Sequence, residues 1–162
     1  RFRTHWRRTR RFVGKAAPVI AIDTNVLLCH LLNDDKAQAR KAHAVMRSSE
    51  AVLITDIVLA ETAWTLAGKK YKAGRDDIVR AIDSLFGEPH VVFENPQVVW
   101  AALNDYRRAK PVRISGRNRV ADFPDALIIN KARYMATQAG DVLNAVYTFD
   151  RAALEIDGAV AP

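Results

Sequence analysis

Val19-Ile20-Ala21-Ile22-Asp23-Thr24-Asn25 is the stretch on which the fold turns. Consecutive apolar residues without polar alternation are what a strand buried on both faces of a parallel sheet requires. Asp23 closes the run, and a helical pattern follows from Asn25 through Leu32, then another from Asp35 to about Ser48. Ala51 to Ile54 repeats the short apolar run, and Thr55 stands where an N-cap belongs for a helix reaching about Lys70. Gly74 precedes a helix from Arg75 to Phe86, stopped by Gly87-Glu88-Pro89. His90 to Phe93 reads as a third strand, and Asn95-Pro96 opens a helix to about Ala109 by cap and first-turn proline. Lys110 to Val120, with Pro111, Gly116 and the bases Lys110, Arg113, Arg117 and Arg119, reads as a loop beside a site. Asp122 can cap a helix from Phe123 to about Ala139, which Gly140 ends, and Ala145 to Phe149 is the last strand. Strands alternating with helices predict an α/β domain with a mainly parallel sheet of about four or five strands flanked by helices.

A chain of 162 residues with 49% apolar and 27% charged positions suits one globular core. No apolar run approaches the roughly 20 residues needed to cross a bilayer. Cys29 is the only cysteine, which excludes an intrachain disulfide and a cysteine-based zinc site and makes a reducing cytoplasm the expectation. The net charge of +7 resides at one end. Residues 1–15 carry Arg1, Arg3, Arg7, Arg8, Arg10, Arg11 and Lys15 and no acid, and the remaining 18 basic residues balance the 18 acidic ones. Residues 1–17 are therefore expected to be a basic leader, either without fixed structure or foreign to the native chain, ahead of a domain over residues 18–162. The charge is no argument for function.

The acids are. Ligands of open parallel sheets bind beyond the carboxyl ends of the strands, and Asp23 and Asp150 each follow a strand-like run. Either alone could be a turn former or helix cap. On a helix beginning near Thr55, Glu61 has Ile57, Val58 and Trp64 as its neighbours by angle, which places its carboxylate in an apolar, core-facing stripe. A carboxylate there needs a cation: a Lys or Arg, or a metal. Asp122-Phe123-Pro124-Asp125 sets two acids at the positive end of a helix dipole, a sufficient structural reason for both. The combination is harder to explain structurally. Acids that end three elements, together with one inward Glu, suit Mg²⁺ or Mn²⁺, which prefer oxygen ligands and retain waters. His5, His30, His43 and His90 have no metal-ligand spacing, and no Gly-rich phosphate loop or Ser-centred elbow is present.

Four segments in order, Ala-Ile-Asp23-Thr24-Asn25-Val-Leu-Leu, Leu-Ala-Glu61-Thr-Ala-Trp, Ala-Asp122-Phe-Pro-Asp125-Ala-Leu-Ile and Tyr-Thr148-Phe-Asp150-Arg, resemble the PIN domain, in particular the VapC-like toxins of toxin–antitoxin modules. The resemblance spans roughly Val19 to Ile156. It implies a metal-dependent endoribonuclease in which Asp23, Glu61, Asp125 and Asp150 hold Mg²⁺ or Mn²⁺ and activate water, with Thr24, Asn25, Asp122 and Thr148 in support. Whether Asp122 or Asp125 is the direct ligand stays open, with Asp125 favoured. The resemblance also implies a homodimer and a cognate antitoxin. Arg113, Arg117 and Arg119, with Lys69 and Lys70, are candidates to follow an RNA backbone. Two rivals remain: a PIN-fold protein that binds nucleic acid or a partner without cleaving, and a haloacid-dehalogenase-like phosphatase. The second needs another Asp two residues after Asp23, where Asn25 stands.

Overall fold

The computed structural model describes residues 18–162. The expected basic leader, residues 1–17, lies outside the described residues. In the first half each strand is followed by one or two helices, as expected: β1 (Val19–Ala21), α1 (Thr24–Leu32), α2 (Lys36–Met46), β2 (Ala51–Ile54), α3 (Asp56–Ala67), α4 (Arg75–Leu85), β3 (Val91–Phe93) and α5 (Pro96–Arg108). The second half holds β4 (Val112–Ile114), β5 (Arg117–Arg119), α6 (Phe123–Ala139), β6 (Val146–Tyr147), a 3-10 turn at Ala153–Glu155 and β7 (Ala159–Val160).

Helix starts follow local chemistry. The side chains of Asp23, Asp35, Thr55, Asn95 and Asp122 each accept a backbone N–H from the first turn of α1, α2, α3, α5 and α6, satisfying donors that the helix cannot. Gly140 ends α6 at φ 81°, in the left-handed region where glycine carries no Cβ penalty.

The sheets are smaller than expected. β1, β2 and β3 form a parallel sheet in the order β1-β2-β3, with Ile20 opposite Val52 and Leu53 opposite Val92. β6 pairs in parallel with β7 and not with this sheet, so the main sheet has three strands among the described residues. β1 is covered on one face only, because Ile22 is buried while Val19 and Ala21 on the other face are exposed. The segment expected to be a loop, Lys110 to Val120, contains the antiparallel hairpin β4–β5. Its turn residues, Ser115 at φ 49° and Gly116 at φ 79°, have the two positive angles that a two-residue hairpin loop needs.

The core lies between the sheet and the helices: Val52 and Ile54 of β2, Leu59 and Leu66 of α3, Ile82 and Leu85 of α4, Val99 and Leu103 of α5, and Phe123 and Ile129 of α6. Among the described residues no helix is long and apolar enough to cross a membrane. Leu103 is fully buried and Ile57 is 71% exposed. Leu103→Ala should therefore cost about 2–5 kcal/mol in urea unfolding, and Ile57→Ala no more than about 0.5 kcal/mol.

Candidate active site

α3 presents a face that the sequence pattern misassigns. Its buried positions are Leu59, Thr62, Ala63 and Leu66, a set spaced i, i+3, i+4, i+7. Ile57, Glu61 and Trp64 occupy the opposite side and are exposed. Glu61 is thus not in a core-facing stripe. The helix is apolar on nearly every side, and packing against α1, α4 and α6 selects which side is buried.

From this exposed face the acids can be followed in both directions. Glu61 Oε2 accepts a short hydrogen bond from Thr24 Oγ1, next to Asp23 at the end of β1. Asp23 Oδ1 accepts from Val26 N at 2.9 Å, so the carboxylate is oriented as it caps α1. One turn beyond Glu61, Trp64 Nε1 donates to Asp122 Oδ2 at 3.0 Å. Asp122 Oδ1 accepts from Asp125 N at 2.8 Å, and Asp125 Oδ2 accepts from Asp122 N at 3.0 Å, the reciprocal capping box of α6. Asp150 Oδ1 accepts from Ala152 N at 2.7 Å, and its own N–H donates to Thr148 Oγ1 at 3.0 Å.

Asp125 records the crowding. Burial pushes its carboxyl up to about 6; the N–H of Asp122 opposes this, and the charges of Asp122 and Asp150 add to it. Elsewhere acids have cations. Lys131 Nζ lies 2.7 Å from Asp56 and 2.6 Å from Glu94, tying the start of α3 and the end of β3 to α6. Burial raises Asp56 despite Lys131, whereas the Lys131 hydrogen bond lowers Glu94. Asp23, Glu61, Asp122, Asp125 and Asp150 form no ion pair among the described residues.

As donors, these groups fit a hard divalent cation. No group of three or more His, Cys, Asp or Glu among the described residues stands ready to hold a metal. Mg²⁺ does not need one, because it commonly binds through one or two carboxylates plus water. Both oxygens of Asp122 are engaged, while Asp125 Oδ1 has no hydrogen-bond partner among the described residues.

The other expected residues fall in two places. Asn25 lines a cleft of about 250 Å³ with Asp23, Cys29, Gln38 and Lys41, between α1 and α2. Arg117 and Arg119 line a groove of about 350 Å³ with Ile114 and Ser115 on one face of the hairpin. Arg113 pairs with Asn118 and belongs to the other face, so the three arginines do not form one stripe. Lys69 and Lys70 are exposed beyond the end of α3, with Lys70 3.4 Å from Asp34. His30 and His43 are half-buried helix residues with facing Nδ1 atoms at 2.9 Å, and His30 also meets Glu88 at 3.4 Å. Two groups escaped the sequence reading: Trp64 as the indole donor to Asp122, and the Lys131 clamp. Only the spacing of Trp64 from Glu61 signalled the first; nothing local signalled the second.

The PIN domain model matches residues 20–159. The chain belongs to the PIN domain family, whose members are generally nucleases. No curated protein matches the chain.

In metal-free buffer the Asp125 carboxyl should titrate near 6 when followed by carbon NMR. Unfolded Asp titrates near 3.8, so the folded state holds the extra proton between the two values. Stability should accordingly fall as the pH rises from about 4 to about 6, and Asp125→Asn should abolish that fall. An Asp125 midpoint at the ordinary carboxylate value would show that the acids are not crowded.

Proposed function

We propose that this protein is a Mg²⁺- or Mn²⁺-dependent endoribonuclease, with Asp23, Glu61, Asp125 and Asp150 as the acids of the site. The observation that carries the reading is a rim of carboxylates, held by backbone N–H groups, Thr24 and Trp64, with no basic side chain paired to it among the described residues. Asp125 would hold the cation with at most one further carboxylate, and the other acids would reach it through bound water. Bound there, a divalent ion supplies a lowered water pKa and neutralises charge on the leaving oxygen.

The chain's own groups do the rest. Asp122 fixes Asp125 through the capping box, and Thr24 fixes Glu61. Thr148 accepts the Asp150 N–H and so shapes the turn that carries this acid. Asn25 extends the site into the cleft toward Lys41. Arg117 and Arg119 hold phosphates in the hairpin groove, and Arg113 contributes from the other face.

Within the family, the reading extends to the toxin of a toxin–antitoxin pair, VapC-like, cytoplasmic, homodimeric, and restrained by an antitoxin that fills the groove beside the acids. The four-segment likeness supports this extension, and an adjacent reading frame encoding a small DNA-binding protein would bear on it directly.

Purified protein should cleave RNA only with Mg²⁺ or Mn²⁺, and Asp23→Asn or Asp125→Asn should each lower the rate by at least about 100-fold, the scale lost with a group that stabilises transition-state charge. Variants that cleave at the wild-type rate would sink the assignment, whereas a wild type that binds RNA without cleaving would favour the non-cleaving rival. Replacing Arg117 and Arg119 with Ala should lower the slope of log K against log salt by about 1.4, at about 0.7 per single-strand phosphate contact. Arg113→Ala should change it less.

A further inference from the structure

Trp64 is 55% exposed on the face of α3 that also carries Glu61. A single exposed aromatic is ordinary. Trp64 differs in being pinned: its Nε1–H donates to Asp122 Oδ2 at 3.0 Å, which fixes the indole beside the start of α6. Glu61 sits one turn back, bonded to Thr24, and Asp122 is locked to Asp125. A rigid aromatic plane therefore stands between the two groups of acids with much of its surface open.

That position needs an attraction other than charge. A polyanion approaching the rim meets carboxylates without basic partners among the described residues, so Coulomb forces from the protein do not hold a nucleotide there. Stacking of a base on an indole does not depend on attracting the phosphate, and it accepts any base. The phosphates have a separate place to go. Arg119 precedes Asp122 by three residues, which limits the backbone span between them to about 11 Å.

Resting on the nuclease reading, we propose that Trp64 is the platform on which an unpaired base of the substrate stacks. A base within a duplex is already stacked on both sides, and its face is closed to the indole.

The test uses the full chain and a fluorescein-labelled single-stranded oligoribonucleotide. The same strand is also used annealed to its complement, and with an abasic site moved along it. Anisotropy with Ca²⁺ and cleavage with Mg²⁺ are measured for wild type, Trp64→Phe and Trp64→Leu, with thermal melts to check folding. Trp64→Leu should weaken single-strand binding roughly 5- to 150-fold, the range for one stacked base, and Trp64→Phe should retain most of the affinity. One abasic position should reproduce the loss on wild type and cost Trp64→Leu nothing more. That arm decides the matter even if Trp64→Leu does not fold.

Equal affinity of wild type and a folded Trp64→Leu would overturn the proposal, as would duplex binding as tight as single-strand binding or an abasic scan without effect. A change in oligomeric state by light scattering with RNA affinity unchanged would make Trp64 a protein contact and would also overturn it. The two readings fail separately. Trp64-dependent binding without cleavage would remove the nuclease and keep the platform, whereas cleavage indifferent to Trp64 would do the reverse.

Discussion

Fixed dipoles, not opposite charges, hold the acids of this protein in place. The Val26, Asp125 and Ala152 N–H groups orient Asp23, Asp122 and Asp150, and the Asp122 N–H orients Asp125. A hydrogen bond from a neutral amide fixes a carboxylate without cancelling its charge, whereas an ion pair such as Lys131 with Glu94 does both. Negative potential therefore accumulates at the cap of α6, where the charges of Asp122 and Asp150 converge on Asp125. Asp125, half-buried among them, retains its proton to a pH well above the usual carboxylate range.

The fold supplies this convergence through α3. Its buried side locks into the core through Leu59, Ala63 and Leu66. Its open side bonds to α1 through Glu61 and Thr24, and to the cap of α6 through Trp64 and Asp122. One helix thereby brings together residues separated by about a hundred positions in the chain.

What was legible in the sequence was local. Thr55, Asn95 and Asp122 cap their helices as read, Gly140 ends α6, and β2 spans Ala51–Ile54. Each depends on chemistry within a few residues. The errors share the opposite cause. Which face of a helix with apolar residues on nearly every side is buried depends on its neighbours, so the sequence pattern points Glu61 inward whereas it lies outward. The partner of β6 and the uncovered face of β1 depend on the whole sheet. The hairpin was hidden by strands of three residues, although Ser115-Gly116 was a signal for its turn. Among the acids singled out, the bond that engages the second oxygen of Asp122 was not legible, because it comes from Trp64 on another element.

The Lys131 clamp bears on how this rim keeps its dimensions. One ammonium grips Asp56 at the first residue of α3 and Glu94 just after β3, from a point on α6 under two turns beyond Asp125. Sliding α6 along α3 would stretch both grips together. The register of α6 against the helix that carries Glu61 is thus held by a strut mounted away from these acids, and belongs to the scaffold.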